Sequence, residues 1–145
     1  MTALTDADRR MLTAARTATL ATIDPAGRPR LVPCCFVVDG ETVWTPLDDK
    51  PKASDDPRAL ARVRDILARP TVALLVDRWS EDWTKLGWVR LHGRAELIDD
   101  GNVPTTVLAE LRAKYAQYRT HDLESRPAIR IVVEDVRRWS ATPEA

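Results

Sequence analysis

Between Thr17 and Pro46 the chain reads as three extended segments joined by turns so short that each must reverse the chain. T-A-T-L-A-T-I-D (Thr17 to Asp24) is rich in threonine and β-branched residues, which favour a pleated strand. Pro25-Ala26-Gly27 is a turn, because proline presets φ and glycine accepts a positive one. Arg28 to Val38 resumes the extended pattern, Asp39-Gly40 is a hairpin signal, and Thr42 to Pro46 forms the third segment. Strands linked in this way are antiparallel neighbours, so the first half of the chain is a meander.

The rest of the chain adds strands and helices in an order that excludes a parallel sheet. Ahead of the meander, Thr5 and Asp8 have capping-box spacing and predict a helix over Asp6 to Ala15, anchored by Met11 and Leu12. After it comes a polar loop, Leu47 to Asp56. Pro57 suits a first helical turn, Leu60, Val63 and Leu67 recur at helical spacing, and Pro70 ends the run. Thr71 to Asp77 predicts a fourth strand, a tryptophan-rich loop runs from Arg78 to Gly87, and Trp88 to Ile98 predicts a long fifth strand. Asp99-Asp100-Gly101 turns the chain. Asn102 is placed to cap a helix with Pro104 in its first turn and Val107, Leu111, Tyr115 and Tyr118 along one face. A sixth strand spans Ala128 to Trp139, with Ile129, Ile131 and Val133 on one side. Six strands with two or three helices, in the order βββ-α-ββ-α-β, predict a mainly β, six-stranded antiparallel barrel with peripheral helices. The 145 residues make one domain. The alternation of a Rossmann sheet and its GxGxxG fingerprint are both missing.

Charge and cysteine usage narrow the function classes. Lysine plus arginine equals aspartate plus glutamate at 22 each, so the basic excess of a bulk nucleic-acid binder is absent. No apolar run reaches the length of a membrane span, and the segment MTALTDADRRML lacks the apolar core of a signal peptide. Cys34 and Cys35 are adjacent, and no CxxC, HExxH or Cys/His array has metal-ligand spacing. The expectation is a reduced, cytoplasmic protein without a metal site.

Strand faces and a basic cluster supply the candidate site. In the fifth strand Val89, Leu91, Ala95 and Leu97 share the face that enters the barrel, and Trp88, Arg90, His92, Arg94 and Glu96 share the other. A tryptophan beside an arginine and a histidine on an outer face suits a planar anionic ligand or a partner chain. In the second strand Leu31, Pro33, Cys35 and Val37 alternate with Val32, Cys34, Phe36 and Val38, so both faces are apolar and the outer one needs a cover. Pro33 belongs at a sheet edge or a bulge. Lys50, Lys52, Arg58, Arg62, Arg64 and Arg69 cluster on the loop and helix that follow, with Arg58, Arg62 and Arg69 on roughly one helical face. They suit a phosphate or carboxylates, although Asp48, Asp49, Asp55, Asp56 and Asp65 lie among them as competing partners. There is no GxSxG nucleophile, and the only histidines are His92 and His121. The lack of an acid–base pair does not count against hydride transfer, in which a cofactor reacts and the protein positions it.

Several segments resemble one family. A-T-L-A-T-I-D-P-A-G-R-P-R-L-V-P is similar to the first hairpin of the pyridoxamine 5'-phosphate oxidase-like split barrels. T-P-L-D-D-K-P-K (Thr45 to Lys52), A-R-V-R-D-I-L-A-R-P-T-V-A-L-L-V-D (Ala61 to Asp77), E-D-W-T-K-L-G-W-V-R (Glu81 to Arg90) and G-R-A-E-L (Gly93 to Leu97) resemble a branch of probable F420-dependent enzymes. The resemblance implies a six-stranded split-barrel homodimer with cofactor sites along the subunit interface. It implies that Lys50 and Lys52 meet the cofactor phosphate, helped by Arg62 or Arg64. Pro33, Cys34, Thr45 and Pro46 would border the ring, largely through backbone atoms, and Trp83, Trp88 and Arg90 would close the site. The implied activity is an oxidoreductase passing a hydride from reduced coenzyme F420, a deazaflavin, to a conjugated small-molecule acceptor. FMN is the alternative cofactor, and a non-catalytic cofactor- or haem-binding protein is the alternative function. No catalytic residue or proton donor is assigned.

Overall fold

The computed structural model describes residues 3–47 and 56–143. Helix α1 (Asp6–Ala14) opens on the expected capping box. Thr5 Oγ1 accepts from the Asp8 amide at 3.1 Å and the Asp8 carboxylate accepts from the Thr5 amide at 2.9 Å. Such a cap is worth about 1 kcal/mol. The strands are β1 (Ala18–Ile23), β2 (Pro29–Cys34), β3 (Val37–Asp39), β4 (Thr42–Pro46), β5 (Thr71–Arg78), β6 (Gly87–Ile98) and β7 (Ala128–Ser140). Helix α2 (Ala61–Ala68) precedes β5, and α3 (Thr105–Lys114) separates β6 from β7.

All seven strands form one antiparallel sheet in the order β2-β1-β5-β6-β7-β4-β3. The two edges of this sheet, β2 and β3, are separated in sequence by Cys35 and Phe36 alone. Three peptide steps reach no more than about 11 Å, so the edges must meet and the sheet must curl into a barrel. The expected second strand, Arg28 to Val38, is therefore two strands. It crosses from one edge to the other at Cys35–Phe36, which makes seven strands of the expected six. The other strand and helix expectations hold to within a few residues.

Alternation sets the inside of the barrel. Leu20, Val43, Leu74, Val89, Leu91, Ala95, Ile129, Ile131 and Val133 are buried in one cluster with Phe36. Leu12 from α1 and Val63 and Ile66 from α2 join that cluster. A second cluster lies outside the barrel wall, where Val107, Leu108, Leu111, Tyr115 and Tyr118 cover Val37, Trp44 and Ala128. Gly93 is required where β6 meets β7, because a Cβ there would stand 2.2 Å from the Val132 carbonyl oxygen. The β6–β7 register shifts just beside it, between His92 and Gly93, so Glu134 is the extra residue of a bulge on β7.

Three local expectations are corrected. Leu67 points outward at 60% exposure, because the helix keeps its apolar face through Val63 and Ile66. The N-cap of α3 is Pro104 with no side-chain cap, not Asn102. Arg58 lies on a 3-10 turn, Pro57–Ala59, and pairs with Asp99, so it does not share a helical face with Arg62 and Arg69. Pro33 meets its expectation through the first alternative: it sits on the edge strand β2, in unbroken register with Thr19.

Candidate functional site

The basic cluster resolves into a groove between α2 and the β1–β2 turn. Its volume is about 450 Å³, and Arg30, Arg64, Arg69, Asp24 and Asp65 supply its charges. Asp65 is buried and accepts two bonds on one carboxylate oxygen, from Thr22 Oγ1 and Arg30 Nε, each at 2.7 Å. The bond to Asp65, opposed by partial desolvation and helped by the charges of Asp65 and Asp24, raises the Arg30 pKa. Asp24 is held within its own turn by the amides of Ala26 (2.9 Å) and Arg28 (2.8 Å) and by Arg28 Nε (2.9 Å). The Arg28 amide is the main cause that holds its carboxyl below the usual range, against the opposing effect of burial. Both acids are thus taken up. Among the described residues the side chains of Arg64 and Arg69 make no hydrogen bond or ion pair, so the groove has cationic donors to spare.

A second region is the outer face of the sheet. Register places Pro33, Thr19, Leu75 and Arg90 in one row across β2, β1, β5 and β6. Leu31, Ala21, Ala73 and His92 form the next row. Leu31 is 67% and Leu75 40% exposed, so this face is apolar and open. Trp88 pairs across the ladder with Trp139, and the Arg90 guanidinium lies 5.2 Å from the Trp88 ring centroid. The expected faces of β6 hold: Val89, Leu91 and Ala95 are buried, whereas Arg90, His92, Arg94 and Glu96 are exposed.

The residues expected at the site divide between these regions. Lys50 and Lys52 lie outside the described residues. Arg64 lines the groove, but the half-buried Arg62 does not. Pro33, Trp88 and Arg90 share the outer sheet face, and Trp83 is exposed on the 3-10 turn Trp83–Lys85. Cys34 is half-buried against the barrel core. Thr45 and Pro46 are buried at the end of β4. His92 is exposed opposite Asp135, and His121 packs edge-on against Tyr118 at 5.6 Å. Among the described residues no group of His, Cys, Asp and Glu is arranged to hold a metal ion, and no helix is long and apolar enough to cross a membrane. The sequence reading missed Arg30. The signal was an arginine at an inward strand position, which needs a buried acid such as Asp65 to receive it.

Strand β2 joins the two regions. Arg30 stands near its start, beside the groove, and Pro33 and Cys34 end it. Three to four residues of strand span about 10–13 Å.

The family pattern described as pyridoxamine 5'-phosphate oxidase matches residues 4–140. The chain belongs to that family. Among solved structures, a conserved hypothetical protein of Mycobacterium tuberculosis is similar with a TM-score of 0.72 at 21% identity, over 95% of this chain and 86% of its own. An F420 reductase is similar with a TM-score of 0.67 at 19% identity, over 92% of this chain and 98% of its own. HutZ, the haem storage protein of Vibrio cholerae, gives 0.67 at 15% identity, over 96% and 95%. No curated protein sequence matches the chain. At these identities the structural likenesses establish the fold, a pyridoxamine 5'-phosphate oxidase-like split barrel.

Proposed function

We propose that this pyridoxamine 5'-phosphate oxidase family protein is a coenzyme F420-dependent oxidoreductase that works as a homodimer, with FMN as the rival cofactor for the same site. The observation that carries the reading is the α2 groove, where Arg64 and Arg69 have no side-chain partner among the described residues and stand beside Arg30, at one end of β2. A flavin-type cofactor needs an anion site and a ring site about 10 Å apart, and β2 offers that span between Arg30 and Pro33–Cys34. Guanidinium groups hold phosphate and carboxylate by paired, charge-assisted bonds. A deazaflavin with an oligoglutamate tail brings more anions than FMN, and this groove has more arginines than one phosphate requires. Arg64 and Arg69 would hold the anionic tail, and Arg30 would serve as a braced wall fixed by Asp65. When bound, the deazaflavin supplies the hydride.

The open sheet face is the proposed subunit interface. Leu31 and Leu75 flank the small residues Ala21 and Ala73, so a second copy would cover a flat apolar surface. Trp88 and Arg90 on the same face would then lie against the partner, in position to close a site built at the interface.

The test is a titration of the protein with coenzyme F420 and separately with FMN, following cofactor fluorescence and tryptophan quenching. Micromolar or tighter binding of F420, weakened at least tenfold in the Arg64→Gln/Arg69→Gln double variant, is the expected result. Preference for FMN with no response to the double substitution overturns the F420 assignment. Binding of neither overturns the redox reading.

A further inference from the structure

A cavity of about 480 Å³ lies apart from the groove, between α1, β3 and α3, with Thr13, Arg16, Glu110 and Lys114 around a floor of Val37 and Val38. Lys114 Nζ donates to the Leu12 carbonyl at 3.1 Å and stands 3.8 Å from the Phe36 ring centroid. Arg16 donates to the Lys114 carbonyl at 2.7 Å, and its guanidinium lies 4.9 Å from the Tyr115 ring centroid. Among the described residues neither cation has a carboxylate partner. Glu110 precedes Lys114 by one turn on the same helix face, yet the two form no ion pair.

Two uncompensated cations over an apolar floor attract an anion, and their mutual repulsion favours release of a proton from the lysine. Burial first, and then the charge of Arg16, pull the Lys114 ammonium down to about 8, with Cys35 in the β2–β3 crossover and Cys34 at the end of β2 opposing. Burial and the charge of Asp39 on β3 push the Glu110 carboxyl up. Tyr115 is a further titratable group against Lys114, with its ring centroid 5.5 Å from Nζ. At pH 7.5 about a quarter of such a lysine is a free amine, against about one part in a thousand for an ordinary one. An amine nucleophile and an adjacent guanidinium over an apolar floor make a constellation that suits carbonyl chemistry.

We infer that Lys114 captures small 2-oxo or aldehydic acids as a Schiff base in this cavity, with Arg16 holding the acid's carboxylate. The amine lone pair forms a C–N bond to the carbonyl carbon, and the carbonyl oxygen takes up the proton that nitrogen releases. The resulting hydroxyl leaves as water with a proton from the solvent as the C=N bond forms. No net oxidation occurs and no cofactor is needed, so the inference stands apart from the proposed redox activity.

The chain has only four lysines, Lys50, Lys52, Lys85 and Lys114, which makes the test direct. The full-length protein is treated with glyoxylate and cyanoborohydride, and carboxymethylation is read at each lysine by peptide mass spectrometry. Lys114 is expected to label at least tenfold faster than Lys85, with a rate that rises through pH about 8. Arg16→Gln is expected to cut glyoxylate labelling of Lys114 about tenfold more than its methylation by formaldehyde, since both reactions lose the help that Arg16 gives to deprotonation and only glyoxylate also loses a partner for its carboxylate. Even labelling of Lys114 and Lys85, or an equal loss of both reactions in the arginine variant, overturns the assignment. If that variant misfolds, the Lys114 to Lys85 ratio and the pH profile of the unaltered protein decide alone.

Discussion

Asp65 and Lys114 are both charged residues drawn into the protein by helices that pack on the barrel, and the fold treats them oppositely. Asp65 receives a guanidinium and a hydroxyl, so its charge is matched where it is buried. Asp8 is handled in the same way: burial raises its pKa, but bonds from Arg138 and from Thr5 outweigh that and hold it low. Lys114 receives a carbonyl oxygen and an aromatic face, with a second cation close by. The difference shows that this chain fixes geometry with matched charge in one place and leaves charge unmatched in another, where a ligand can profit from it. The comparison breaks most sharply at Asp65. Its replacement by leucine strands Arg30 and the buried Thr22 hydroxyl together. The expected loss is about 3 kcal/mol, near the low end for breaking a buried pair because Arg30 is 38% exposed. Urea denaturation measures it, and a loss below about 1 kcal/mol would mean that the pair does not brace the groove.

A smaller effect is expected from Tyr115→Phe, on the Lys114 side. The Tyr115 hydroxyl accepts from the Phe36 amide at 3.0 Å and faces the carbonyls of Arg16 (3.1 Å) and Phe36 (3.2 Å). It therefore ties the β2–β3 crossover to α1 and α3. Without it the buried Phe36 amide has no acceptor, which costs about 1–3 kcal/mol. Hydrogen exchange at Phe36 is the sharper readout, since protection should fall there before it falls in the β6–β7 ladder. Unchanged protection at Phe36 would show that the crossover is held by packing alone.

These two sites also mark the limit of what the sequence could reveal. The capping box, the turns and the alternation of β6 are local patterns, and each was legible. The break at Cys35–Phe36 was not, because β2 and β3 are apolar on both faces and no turn residue marks the crossover. Arg30 finds Asp65 across 35 positions and Arg16 finds the Lys114 carbonyl across 98. Neither pairing has a local signature, so the basic segment was legible as a cluster while its arrangement was not. The reading named Arg64 but not Arg30, since only the folded sheet brings β2 against α2.

The smallest effect is the most informative about unmatched charge. Lys114→Met keeps the length and apolar stem of the side chain, loses one bond to the Leu12 carbonyl and removes the cost of burying an ammonium. These terms oppose each other, so stability at pH 7 should change by less than about 1 kcal/mol. The pH dependence separates them. Between about 8 and the ordinary 10.5 the native lysine has shed a proton that the unfolded chain still holds. Unfolding then takes up a proton, and the native protein gains stability as pH rises through that window. Tyr115 acts in the other direction, because burial raises it to about 12 and its contribution is lost from pH 10 upward. The unaltered protein should therefore gain stability from pH 8 to about 10 and lose it above, whereas Lys114→Met should lack the rising limb and keep the falling one. A rising limb that survives the substitution would place the titrating group elsewhere and remove the contrast with Asp65.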